Sequence, residues 1–164
     1  MDFNSFWADI FATIIGGISL TCLFFVAKEK LFPIPDITGR WYVEMTTVNS
    51  AYRPYDGMIL RYVIMIWREG NVLKGSAEKV YENSSSGIRE YVGKYRTRAL
   101  LEGYIEKNYL SKDKVCLHAV ENGHDRDSTN FYELLVNSKL EMTGNFQSTV
   151  ADQDGTVRFQ KEPF

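Results

Sequence analysis

The order of hydrophobic and polar positions divides the chain into two parts with different periodicities. Residues 10–27 are 18 positions without a charge, and residues 6–8 extend the apolar stretch to about 22 positions. A helix of that length covers roughly 30 Å of hydrocarbon. From Asp36 onward, hydrophobic residues recur close to every second position, as in strands that bury one face. The sequence therefore predicts an N-terminal transmembrane helix followed by an all-β domain.

The flanks of the apolar run favour a retained anchor over a cleaved signal peptide. A signal peptide begins with a basic segment, but residues 1–9 contain two aspartates and no lysine or arginine. Lys28 and Lys30 follow the run directly. The positive-inside bias therefore predicts a periplasmic N-terminus and a cytoplasmic C-terminal domain. We divide the chain into a transmembrane helix with its flanks (1–30), a proline-containing stalk (31–36) and a cytosolic β-barrel domain that senses a ligand (37–164).

Small and hydroxyl side chains recur along one side of the predicted helix. These residues are Asp9, Thr13, Gly17 and Thr21, at intervals of four, with Gly16 beside them. They allow close approach and hydrogen bonding between helices in lipid, which favours a self-association face and a homo-oligomer. The alternative is an ordinary single span in which Asp9 merely lies at the membrane interface.

Nine segments beyond the stalk have strand periodicity, separated by turns rich in Gly, Asn, Asp and Ser. Because closure removes exposed strand edges, we expect a small antiparallel up-and-down β-barrel, lipocalin-like, of eight to ten strands. The predicted strands are 39–48, 58–68, 72–82, 88–98, 100–109, 114–121, 129–136, 140–149 and 155–160.

An apolar residue, a spacer and a glycine recur in four of these segments, as ITG at 37–39, LKG at 73–75, LEG at 101–103 and MTG at 142–144. Glycine in a strand permits a sharp bend and a close backbone approach. In an up-and-down meander the first, third and fifth strands begin at one rim, but the fourth match lies in the eighth strand. Either a strand has been missed or wrongly added, or that match is accidental.

Alternation of side chains along each strand predicts a ligand site. In phase with the glycines, the inward set of the third strand ends in Lys79 and Tyr81, and that of the fifth ends in Lys107 and Tyr109. Ammonium groups bind phosphates and aromatic rings stack on bases. We therefore expect an anionic, aromatic ligand at the rim away from the anchor, although such side chains also simply extend into water at strand ends. Four further candidates fall at the same predicted end: Arg61, Tyr62, Arg89 and Tyr91.

Composition and motif content mainly exclude function classes. The net charge of −2 gives no sign of binding to polymeric nucleic acid. The two cysteines lie in unlike regions, so we expect no disulfide. Metal-ligand spacing, nucleophile–base arrangements and a glycine-rich phosphate loop are not evident. The sequence thus predicts no metal, no cofactor and no enzymatic activity.

Several stretches together resemble a known family. They are the single anchor, the proline-containing stalk, TGRWYVEM at 38–45, the IWREGNVLKGSAEKV hairpin at 66–80, and LEMTGNFQ at 140–147 with DGTVRF at 154–159. In this combination the chain resembles the transmembrane β-barrel effectors of CBASS antiphage systems, the CD-NTase-associated protein 15 family. Members of that family usually have two membrane spans, whereas this chain has one convincing span.

The resemblance implies a function and a location. A cyclic dinucleotide made by a phage-sensing nucleotidyltransferase would bind the barrel in the bacterial cytosol. The effector would then oligomerise and disrupt the inner membrane, and the infected cell would die. Two other functions fit the residues alone: a membrane-tethered, lipocalin-like carrier of a lipid or other apolar molecule, and a structural subunit whose barrel binds a protein.

Overall fold

The structure, a computed structural model, describes residues 3–70, 72–122 and 127–164. The chain divides into two compact units, Met1–Ile34 and Pro35–Phe164. In the first unit, helix α1 spans Phe3–Leu31, and its segment Phe6–Leu31 is long and apolar enough to cross a membrane. The Thr13 and Thr21 hydroxyls each donate a hydrogen bond of 2.8 Å to a carbonyl one turn earlier in the same helix. The self-association face stays a prediction.

The second unit consists of antiparallel strands, eight of which form a closed barrel. Around the barrel the strands follow in the order β2-β1-β9-β8-β7-β6-β5-β3, and β3 pairs with β2 to close the ring. The predicted all-β, up-and-down, lipocalin-like barrel is therefore confirmed. The strands are β1 (Gly39–Asn49), β2 (Ile59–Glu69), β3 (Val72–Ser84), β4 (Gly87–Glu90), β5 (Arg98–Glu106), β6 (Lys114–Asn122), β7 (Asp127–Val136), β8 (Glu141–Ser148) and β9 (Gln153–Gln160).

The fourth predicted strand, 88–98, is wrong in length and in role. Strand β4 ends at Glu90, and a turn of 3₁₀ helix follows at Gly93–Tyr95. Gly93 has a φ of +59°, a left-handed conformation that glycine adopts without strain, and it begins the 3₁₀ turn. Within the described residues, β4 pairs with β3 alone, whereas β5 pairs with the first half of β3 and with β6. Strand β4 is therefore an extra strand, and β5 takes the fourth position in the barrel.

This connectivity explains the mismatch in the glycine pattern, because the fourth predicted strand is not part of the closed barrel. We call the rim where β1 begins the Gly39 rim and the rim where β1 ends the Asn49 rim. Strands β3 and β8 begin at the Gly39 rim, whereas β5 ends there. A Cβ on Gly75 would lie 2.6 Å from the Met65 carbonyl oxygen, and one on Gly144 would collide with the Glu133 carbonyl. These glycines do mark close strand approaches.

Large apolar side chains fill the half of the barrel next to the Gly39 rim. Trp41 and Phe159 are fully buried with their rings edge to face, and Leu73 is buried beside them in the same core. The Trp41 indole donates a hydrogen bond of 2.7 Å to the Ile37 carbonyl, and the Lys161 ammonium lies 4.1 Å from the indole ring. This end is a packed plug, and the interior space bounded by the described residues lies toward the Asn49 rim.

Candidate ligand-binding cleft in the barrel wall

A β-bulge separates Lys79 from Tyr81, which the sequence placed on one face. Strand β3 pairs Lys79 with Tyr62 and Tyr81 with Arg61, and Val80 is the extra residue between them. The bulge reverses the alternation beyond it. Lys79 therefore faces inward as predicted, whereas Tyr81 faces outward, and the inward place passes to Glu82 opposite Leu60.

The prediction that Lys107 and Tyr109 share a rim with Lys79 is wrong. Because β5 runs antiparallel to β3, these two residues follow its end at the Gly39 rim, at the other end of the barrel from Lys79. The Lys107 ammonium lies 2.8 Å from an Asp113 carboxylate oxygen, and Tyr109 is half exposed.

The other four candidates have different surroundings. Arg61 lies outside the barrel, 2.7 Å from the Glu44 carboxylate, and Arg89 on β4 is exposed. Tyr62 is buried inside the barrel. The Tyr91 hydroxyl donates a hydrogen bond of 2.9 Å to Glu82, and burial, followed by that carboxylate, raises the pKa of Tyr91. Of the eight candidates, the structure brings Lys79, Tyr62 and Tyr91 together.

Lys79 and Tyr91 line a lateral cleft in the barrel wall near the Asn49 rim, and Tyr62 lies behind Lys79 on the interior side. Strand β5 begins at Arg98, and the pair of Ala99 with Glu121 is the β5–β6 pair nearest the Asn49 rim. Beyond that pair, no strand pairing among the described residues closes the wall between β4 and β6. The 91–97 segment borders this gap. The cleft has a volume of about 930 Å³ and is lined by Lys79, Tyr91, Lys94, Tyr95, Arg96, Thr97, Arg98, Glu121 and Asn122.

Positive charge dominates the lining of the cleft, with four basic residues against one carboxylate. The guanidinium groups of Arg96 and Arg98 lie 2.9 Å and 3.4 Å from the two carboxylate oxygens of Glu78. Glu78 therefore holds the two guanidinium groups next to each other. The Arg96 guanidinium also donates to the Tyr91 carbonyl at 3.2 Å, so it fixes the segment that borders the cleft. Lys94 lies 5.3 Å from the exposed Tyr95 ring and has no ion pair within the described ranges.

A second, smaller cavity of about 140 Å³ lies inside the barrel behind the cleft, and Lys79 and Glu121 line both spaces. The Lys79 ammonium is 3.0 Å from one Glu121 oxygen, and the other oxygen accepts a hydrogen bond of 3.0 Å from the Tyr62 hydroxyl. Burial, followed by the Glu121 charge, raises the pKa of Tyr62 well above its ordinary value. Tyr62 therefore stays a hydrogen-bond donor across the physiological pH range.

The cleft and the cavity suit different ligands. Pockets for drug-sized ligands have volumes of about 300–1,000 Å³, a range that includes the cleft. An interior cavity near 150 Å³ holds a molecule of about the size of benzene, so the cavity is too small for a lipid chain. Lysine and arginine bind phosphate, and tyrosine rings stack on planar groups. The lining therefore fits an anionic ligand with planar rings.

Seven of the nine described cleft residues were missed by sequence reasoning, namely Lys94, Tyr95, Arg96, Thr97, Arg98, Glu121 and Asn122. The run GKYRTR at 93–98 carries the signal, because a glycine opens a short segment with three of these basic residues. The predicted strand 88–98 includes this run, so the loop that carries these basic residues was not predicted. Glu121 carries no such signal in the sequence, because it reaches the cleft only through the pairing of β5 with β6.

Comparison with known proteins shows the fold of the second unit. No protein-family model matches the chain, and no curated protein matches its sequence. Among solved structures, this chain is similar to a redesigned β-barrel, mFAP1, bound to DFHBI. The TM-score is 0.55 and the identity 14%, over 76% of this chain and 94% of that one. Similar values hold for the redesigned barrel mFAP0 bound to DFHBI (TM-score 0.54, 14% identity, 76% and 98% coverage). At this identity the likeness concerns the fold alone, and it shows a β-barrel like those of ligand-binding barrels.

Proposed function

We propose that this protein is a membrane-anchored receptor whose lateral cleft binds a cyclic dinucleotide. In this proposal it acts as a CBASS effector: the bound nucleotide promotes oligomerisation, and the assembled helices disrupt the bacterial inner membrane. The barrel then lies in the cytosol and the N-terminus in the periplasm. The family resemblance supplies the ligand and the outcome, and the chemistry of the cleft supports the class of ligand.

The observation that carries the proposal is the pairing of charge with aromatic rings in one space of suitable size. Lys79 and Lys94 lie in the same cleft as Tyr91 and Tyr95, and the cleft has a volume of about 930 Å³. A cyclic dinucleotide presents two phosphates and two planar bases. Lys94 is available to a phosphate without loss of an existing ion pair to any described residue, and Tyr95 is 71% exposed.

The interior of the barrel disfavours the alternative of a lipid carrier. A carrier of this kind holds its cargo in the barrel interior, but here Trp41, Phe159 and Leu73 fill one half of that interior. The remaining cavity of about 140 Å³ is lined by a buried ion pair and by polar groups such as Asn130 and Gln153. An acyl chain placed there would remove water from that ion pair and from those polar groups, and burying charged and polar groups against hydrocarbon is unfavourable.

Calorimetry on the full chain in lipid nanodiscs tests the proposal. The titrants are cyclic di-AMP, cyclic di-GMP, mixed purine–pyrimidine cyclic dinucleotides and palmitate. We expect at least one cyclic dinucleotide to bind and Lys94→Glu to weaken it at least about tenfold, because a charged contact to phosphate is replaced by repulsion. The matched control is Lys139→Glu, which changes the same charge at an exposed turn between β7 and β8.

Two results would contradict the receptor proposal. One is binding of palmitate with no response to any cyclic dinucleotide, which favours the carrier. The other is an equal loss of nucleotide binding in Lys94→Glu and Lys139→Glu, which would mean that only net charge matters and that the cleft is not the site.

A further inference from the structure

The lateral cleft and the interior cavity share one wall, and that wall is the ion pair between Lys79 and Glu121. Both side chains line both spaces, and their exposed fractions are 16% and 9%. The Lys79 ammonium also lies 5.9 Å from the ring centres of Tyr62 and Tyr91, one on each side of the wall. The least exposed ion-paired cation of the described cleft lining is therefore already held by a carboxylate of the protein.

An anion that enters the cleft meets this carboxylate as a competitor. Lys79 is the innermost basic residue of the cleft, and among the described residues Glu121 is the only acidic one in the lining. A phosphate that contacts Lys79 comes within a few ångströms of the Glu121 oxygens, and at that distance two negative charges in a partly buried site repel strongly. The repulsion between ligand and Glu121 is relieved when the ammonium turns away from Glu121 toward the ligand.

We infer that Glu121 competes with anionic ligands for Lys79 and so sets the affinity of the cleft for anions. A bound anion replaces Glu121 as the ion-pair partner of Lys79. This inference rests on the proposed function, since it names the regulation of the same cleft. The exchange has a defined consequence inside the barrel. Glu121 keeps the hydrogen bond from Tyr62, so its carboxylate is retained on the cavity side when Lys79 turns toward the ligand.

The substitution Glu121→Gln isolates this competition. Glutamine has nearly the same shape, its carbonyl accepts the Tyr62 hydrogen bond, and it has no charge to hold Lys79. We expect the full chain in nanodiscs to bind its cyclic dinucleotide, and inorganic pyrophosphate as a simple anionic probe, about tenfold more tightly after the substitution. The matched control is Glu133→Gln, because Glu133 is an exposed β7 carboxylate on the outer surface and the net charge changes equally.

A double substitution shows whether the gain acts through Lys79. In the Lys79→Met background, Glu121→Gln is expected to give no gain, because the cation for which the carboxylate competes is absent. Thermal unfolding of each variant identifies any that fails to fold, and Glu121→Asp then serves as a second variant. Its shorter side chain keeps the charge but withdraws it from Lys79, so an intermediate gain is expected.

The outcomes separate this inference from the proposed function. If the unsubstituted chain binds a cyclic dinucleotide and Glu121→Gln binds it equally or more weakly, the competition is refuted and the receptor stands. An equal gain in Glu133→Gln would also refute it. If neither the chain nor Glu121→Gln binds any of these anions, both the inference and the receptor fail. Binding by Glu121→Gln alone would support the competition.

Discussion

Two buried tyrosines make the barrel interior sensitive to alkaline pH. Tyr62 and Tyr132 are fully buried, and burial, with the Glu121 charge as the next cause, raises the pKa of both phenols. In the unfolded chain each phenol titrates near pH 10. Above that pH the unfolded state binds fewer protons than the folded state, so stability is present below about pH 10 and is lost as pH rises toward the folded pKa.

The substitution Tyr132→Phe tests this proton linkage at one residue. The Tyr132 hydroxyl donates a hydrogen bond of 3.5 Å to the Met45 sulfur and makes no other hydrogen bond to a described residue, so stability at pH 8 should change little. Above pH 10 the unsubstituted chain should lose stability more steeply, by about 1.4 kcal/mol per pH unit for this phenol. Chemical denaturation at several pH values measures the slopes, and identical slopes would contradict the linkage.

At the scale of the strands, alternation and turn signals predicted most boundaries but not the two places where alternation is interrupted. The bulge at Val80 depends on how β3 pairs with β2, which no local pattern in the sequence specifies. The turn after β4 begins at Gly93. Its left-handed conformation is one of several that a glycine can adopt, so the sequence alone does not specify it. These two features moved Tyr81, Lys107 and Tyr109 away from the predicted site.

The close strand approaches give a direct test of the barrel geometry. Gly144 on β8 sits where a Cβ would meet the carbonyl of Glu133 on β7. Gly144→Ala should therefore destabilise the barrel by about 2 kcal/mol or more, since the strands must separate to accept the methyl group. Thermal unfolding followed by near-UV circular dichroism measures the loss. The control is Asn145→Ala at the next, exposed position of β8, and equal effects of the two changes would contradict the close approach.

At the scale of the whole molecule, the sequence predicted the fold and two of the residues that line the candidate cleft, Lys79 and Tyr91. The remaining cleft residues come from a loop and from a strand on the far side of a gap in the barrel wall, so only the closed topology brings them together. In the Gly39-rim half of the interior, alternation along β1 is enough to bury Trp41 and Val43.

A receptor that acts on membranes must couple its cleft to its helix, and vesicle leakage measures that coupling. The full chain is reconstituted into liposomes loaded with carboxyfluorescein, and the cyclic dinucleotides are added outside. We predict dye release in response to at least one cyclic dinucleotide, with release strongly reduced by Lys94→Glu and retained in Lys139→Glu. Liposomes that stay sealed with a nucleotide-bound chain, or that leak equally with Lys94→Glu, would contradict the account.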